Sequence, residues 1–127
     1  MLKTILAKLK NIQGDVGKIG EKKALQFLQK KGYTVLEQNF KAHPHEIDII
    51  CYDPHNKEIV FVEVKTRIND NIENNFEAFH QKKQNNIKKC AEKYLSKTQN
   101  WDKPCRFDLI CINGTKYQVE HFTNVIE

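Results

Sequence analysis

Residues 59–67, IVFVEVKTR, set a carboxylate and an amine two positions apart in an otherwise apolar run. A run so rich in Val, Ile and Phe reads as a strand, and side chains alternate across a strand. Glu63 and Lys65 then face one side, with Val62 and Val64 on the other. Upstream, residues 45–50 (HEIDII) put Glu46 and Asp48 on one face and Ile47 and Ile49 on the opposite one. If the two strands pair with their apolar faces together, Asp48, Glu63 and Lys65 share one side. Two carboxylates that close repel strongly unless a cation or proton lies between them. A hard divalent ion meets that need, and magnesium takes one or two carboxylates together with water and phosphate oxygens. A lysine beside them would stabilise charge on a phosphate or orient an attacking water. Glu-x-Lys alone is what any half-exposed strand shows as a solvated face; the aspartate on a neighbouring strand makes the pattern more specific.

Two helical positions add to it. Glu21 lies four residues before Leu25 and seven before Leu28, so it points where that apolar stripe points. Gly17 and Gly20, on an adjacent face, would let the helix approach a sheet closely. An acid aimed at a core is costly unless something there binds it, although negative charge is also favoured near a helix N-terminus. Further on, Phe76, Phe79, Ile87, Cys90 and Tyr94 keep a three-to-four spacing that Lys83 interrupts. That lysine either snorkels to solvent or carries its amine to the acidic cluster or to a phosphate.

The elements that must position these groups follow from periodicity and breakers. A helix runs from about 16 to 31 and ends at Gly32-Tyr33. Strands follow at 33–40, 46–52 and 58–66, the last two joined by the turn Asp53-Pro54-His55-Asn56. A polar loop over 69–75 precedes a long helix from about 75 to 96, with Pro104 as its far boundary. Strands at 106–112 and 116–122 flank the hairpin turn Asn113-Gly114. The fold class is α/β: a mixed sheet of about five strands flanked by helices, in the order α-βββ-α-ββ. Ahead of it, Leu2, Ile5, Leu6, Leu9 and Ile12 lie opposite Lys3, Lys8 and Lys10. Residues 1–13 therefore form an amphipathic helix before a single domain, 14–127.

The chain has 127 residues, 21 Lys+Arg against 16 Asp+Glu, and a net charge of +5. With 29% charged and 39% hydrophobic residues it is an ordinary globular composition, which excludes disorder, collagen and coiled-coil rods. No apolar run approaches the roughly 20 residues of a membrane-spanning helix. The basic excess invites a polyanion, and all but Arg67 and Arg106 of its cations are lysines. Cys51, Cys90, Cys105 and Cys111 make no C-x-x-C pair, and three of them sit in apolar segments. Free, mostly buried thiols point to a reducing cytoplasm, and the lysine-interrupted amino end is no secretory signal.

Taken together, Gly17-x-x-Gly-Glu-x-x-Ala24, Gly32-Tyr33, Asn39, Glu46-Ile-Asp48, the run from Val60 to Arg67, Lys83-Gln84, Tyr94-Leu95 and Arg106-Phe-Asp108 resemble the YraN-like family. These are small bacterial proteins of the restriction-endonuclease-like PD-(D/E)XK superfamily, related to archaeal Holliday junction resolvases. The resemblance runs from about Gly14 to Ile112. It implies a core of helix, three strands, helix and strand, and magnesium-dependent (or manganese-dependent) phosphodiester cleavage as the ancestral chemistry. By position, Glu21 would be the helix acid supporting metal or water. Asp48 and Glu63 would be metal ligands, with the main-chain carbonyl of Val64 as a further ligand, and Lys65 the catalytic lysine. Arg67, Lys83, Gln84 and Arg106 would face nucleic acid or support the site. The family usually has glycine before Glu-Ile-Asp, where this chain has His45. The expected function is a metal-dependent endonuclease on structured or branched DNA, ahead of RNA; the alternative is a non-catalytic nucleic-acid-binding module working with a partner protein. A homodimer would suit a two-fold junction.

Overall fold

The computed structural model describes residues 17–67, 81–113 and 116–126. Helix α1 (residues 17–30) leads into strands β1 (Thr34–Ala42), β2 (His45–Asp53) and β3 (Glu58–Arg67). Helix α2 (Gln81–Lys97) follows, then β4 (Cys105–Asn113) and β5 (Gln118–Phe122). The five strands form one sheet in the order β1-β2-β3-β4-β5. Neighbours are antiparallel except β3 and β4, which are parallel and therefore need a crossover; α2 lies in it. The mixed sheet and the order α-βββ-α-ββ are those the periodicity predicts. The amino-terminal helix, the 69–75 loop, the start of the long helix over 75–80 and Gly114 lie outside the described residues.

The two helices cover opposite faces of the sheet. Ala24 and Leu28 of α1 pack on Ile49, Cys51, Val60, Val62, Ile110 and Ile112. Ile87, Cys90, Ala91 and Tyr94 of α2 pack on Phe40, Ile47, Ile50, Ile59 and Phe61. Along β3, Ile59 and Phe61 go to one cluster and Val60 and Val62 to the other, as a strand buried on both faces requires. A charged side chain further along such a strand has to be accommodated at its end.

Both helices close with the same hydrogen-bond pattern. Gly32, at φ +92°, follows α1, with its amide on the Gln29 carbonyl and the Tyr33 amide on that of Leu28. After α2 the left-handed position is Gln99, and the Gln99 and Asn100 amides reach the carbonyls of Ser96 and Leu95. α2 thus stops well before Pro104. The turn between β2 and β3 is held by Asp53, whose Oδ1 accepts from the amides of His55 and Asn56 at 2.9 and 3.3 Å. Cys51, Cys90 and Cys111 are buried free thiols and Cys105 is half-buried; burial pushes the Cys51 thiol up to about 12. No described helix is long and apolar enough to cross a membrane.

Gly20 is what lets α1 lie close to β3. A β-carbon there would collide with Thr66 Oγ1 and stand 2.9 Å from Thr66 Cβ. Gly17, expected to serve the same approach, faces open space with nothing within 4 Å of a built β-carbon.

Candidate active site

β2 and β3 pair from Asp53 and Glu58 as far as Ile49 and Val62, and the ladder ends there. The next residues along the two strands are Asp48 and Glu63. Past that point the amide of Val64 donates to Asp48 Oδ2 at 2.8 Å, so a side-chain carboxylate takes the role a backbone carbonyl has elsewhere in the sheet. β3 meanwhile stays paired with β4 to its last residue, with Glu63 opposite Leu109. Glu63 is thus fixed from the β4 side and Asp48 from the Val64 amide.

Glu63 is only 8% exposed. Its Oε1 faces two ammonium groups, Lys83 Nζ at 2.9 Å and Lys65 Nζ at 3.5 Å. Asp48 is held up to about 7 by its burial and then by the charge of Glu63, with Glu21 and Glu46 adding and the Val64 amide opposing. Glu21 is also raised, by burial and by Glu46 and Glu63. Burial, with Lys83 alongside, lowers Lys65. Burial works the same way on Lys83, but Glu63 outweighs it and leaves that amine raised. Four carboxylates and two amines are thus electrically coupled at one end of the sheet.

Two openings meet there. A groove of about 480 Å³ lies between α2 and the β1–β2 hairpin and is lined by His45, Glu46, Asp48, Glu63, Lys83 and Asn86. A recess of about 230 Å³ is lined by Gly17, Glu21, Val64, Lys65 and Thr66. Asp48 and Glu63 share the groove as expected, although Ile47 and Ile49, expected on one face of β2, go to opposite clusters; Lys65 lines the recess and reaches Glu63 from there. Among the described residues no three His, Cys, Asp or Glu side chains converge into a closed metal cage. Two carboxylates opening on a groove, one with its pKa raised by the other, are nevertheless a hard-oxygen donor set. It fits a divalent ion that keeps water and phosphate oxygens in its remaining positions.

Lys83 joins the acidic cluster, and Gln84 beside it on α2 is half-buried with partners inside the protein. Arg67 closes β3, and its side chain lies outside the described ones. Arg106 departs from the expectation of a phosphate contact. It is 6% exposed, and its guanidinium is committed to Asp53 at 2.7 Å, Asp108 at 3.1 Å, Glu58 at 3.4 Å and the Tyr33 hydroxyl at 2.9 Å. It is an internal counterion for two carboxylates that are 2% and 1% exposed. The signal was present: Arg106 and Asp108 are two apart in a strand that is otherwise largely apolar, so they share a face. Asn86 in the groove had no such signal, being one amide among several on a polar helix stretch.

The sequence matches Uncharacterised protein family UPF0102 over residues 20–112. The chain belongs to that family. Several UPF0102 relatives are similar over most of their length. One from Lawsonia intracellularis is 39% identical, covering 89% of this chain and 86% of its own. One from Caldanaerobacter subterraneus is 41% identical, covering 87% and 91%. A third, from Chlorobium phaeobacteroides, is 38% identical, covering 89% and 94%. The matched segment of UPF0102 contains Glu21, Asp48, Glu63, Lys65 and Lys83.

Proposed function

We propose that this protein is a divalent-metal-dependent endonuclease acting on structured or branched DNA. The observation that carries the reading is the pairing of Asp48 and Glu63 where the β2–β3 ladder opens, with Lys65 on the same carboxylate. Asp48, Glu63 and the Val64 carbonyl are the groups that would hold magnesium or manganese. When bound, such an ion supplies Lewis-acid charge to phosphoryl oxygens and acidifies water. The chain's own residues do the rest. Val64 fixes the rotamer of Asp48 through its amide. Lys65, a half-buried amine at the edge of the recess, donates hydrogen bonds to the phosphate as negative charge builds there. Glu21 lines the same recess and would serve as the base that takes a proton from water there. The test is cleavage of junction, flap and single-stranded DNA with magnesium or manganese. Products that vanish in Asp48→Asn and Glu63→Gln support the reading; no products from the parent, or variants as active as the parent, sink it.

One observation favours a second reading. The Lys83 ammonium on Glu63 at 2.9 Å satisfies that carboxylate without a metal, as a non-catalytic nucleic-acid-binding module would need. DNA binding together with calorimetric silence toward both ions would select it.

A further inference from the structure

The groove at the acidic pair does not stop at His45. A second groove, of about 360 Å³, continues from it, and the two share Pro44 and His45 as a common sill. Its hairpin wall is Ala42, Pro44 and His45; its α2 wall carries Lys89, Lys93 and Ser96. Positions 86, 89, 93 and 96 are three and four apart, so they form one ridge along α2 running from the first groove into the second. Lys83 and Lys93 stand about 15 Å apart at 1.5 Å per residue. At the far end Lys97 lies over the Phe40 ring at 5.7 Å.

α2 is the most basic of the described elements. Its 17 residues hold six lysines and one acid, Glu92, a net of +5. The whole chain is also +5, so the other 110 residues balance, fifteen cations against fifteen acids. α2 thus carries as much net charge as the whole chain, more than the +3 of α1 (four lysines against Glu21), and the second groove runs along it.

From this we infer that the second groove is a backbone track: it binds the sugar-phosphate chain of a strand that also lays one phosphate at Asp48 and Glu63, with Lys89 and Lys93 each taking a further phosphate. The volume is that of a small-molecule site, so the track takes one strand and not the side of a duplex. Glu92, also in its lining, is the single charge that opposes the ligand. The inference rests on the reading of the site as one that handles nucleic acid, but not on cleavage.

The experiment is binding of a fluorescein-labelled oligothymidylate to the full chain in EDTA, measured across a salt series. Lys89→Gln with Lys93→Gln should weaken binding and flatten the log–log salt slope by about 0.7 per lysine. Lys22→Gln with Lys30→Gln, exposed on α1, removes the same charge and should leave the slope unchanged. Glu92→Gln should tighten binding. Gln is close to Lys in helix propensity, so circular dichroism should match for all variants. Equal losses from the two lysine pairs, no loss from the groove pair, or no binding by the unaltered chain would overturn the track. Binding that depends on Lys89 and Lys93 with no cleavage under any metal would uphold the track while removing the nuclease reading.

Discussion

Asp48 Oδ2 accepts the Val64 amide at 2.8 Å immediately beyond the last paired residues of β2 and β3. That bond holds an acid beside Glu63 at an energetic cost, because burial and Glu63 raise Asp48 from the ordinary 3.8 to about 7. A carboxyl whose pKa rises on folding contributes stability below its unfolded value and loses it as pH climbs through the folded one. In EDTA at pH 8, Asp48→Asn should therefore raise stability, by about 1–3 kcal/mol. Its side-chain oxygen still accepts from Val64. Asp48→Ala orphans that amide and should be less stable than Asp48→Asn by about 1–3 kcal/mol. Urea unfolding of the two variants checks this, and an Asn variant weaker than the parent would refute it.

On the proposed reading, Lys83 and a divalent ion would compete for Glu63. Lys83→Gln should cost about 1 kcal/mol of stability in EDTA, the pair being partly solvated. The same variant should show a larger manganese-induced rise in Tm than the parent, since the competing ammonium is gone. Thermal scans with and without manganese read both effects. Glu63→Gln should show no manganese response at all.

Gly20 and Thr66 set the spacing between α1 and β3. Gly20→Ala should destabilise by about 1–3 kcal/mol through overpacking. Adding Thr66→Ala removes the hydroxyl collision but not the Cβ contact at 2.9 Å, so rescue should be partial. A double-mutant cycle by denaturant unfolding gives the coupling. Because Glu21 is the next residue on α1, cleavage should fall more steeply than stability.

Arg106 governs the response to acid. Asp53 and Asp108, despite burial, are held below the ordinary 3.8, Asp53 by Arg106 and the His55 and Asn56 amides, and Asp108 by His121, Arg106 and the Asn124 amide. Carboxylates lowered on folding contribute stability above about pH 4 and lose it as pH falls through their folded values. The protein should therefore unfold cooperatively below about pH 4, followed by circular dichroism. Arg106→Met should cost about 3–5 kcal/mol at neutral pH, because it strands two buried charges. The salt slope of DNA binding should not change where that variant remains folded.

The strands and the acid pair were legible because alternation is a local signal. Val60 and Val62 against Phe61 and Glu63 can be sorted to two faces from the run itself, and Asp48 is matched to Glu63 by a short hairpin. The misplacement of Arg106 has a long-range cause. Its partner Asp53 lies 53 residues away on a strand separated from β4 by β3, a proximity only the parallel β3–β4 pairing creates. Lys65, placed by alternation on the face of Glu63, does pair with it at 3.5 Å, while its part in the recess beside Glu21 had no local signal. The second groove was invisible for another reason. Lys89 and Lys93 read as a solvated helix face until the hairpin wall bearing Pro44 and His45 stands opposite them.

A net charge of +5 on one rod also has a kinetic consequence. A balanced body with +5 along α2 is an electric dipole, and near a polyanion it turns before it touches. Encounters would then begin with α2 leading and the acidic pair behind it, so the fraction of productive collisions rises without any tightening of the final contact. Moving two of those lysines to α1 would leave net charge and pI unaltered while slowing association.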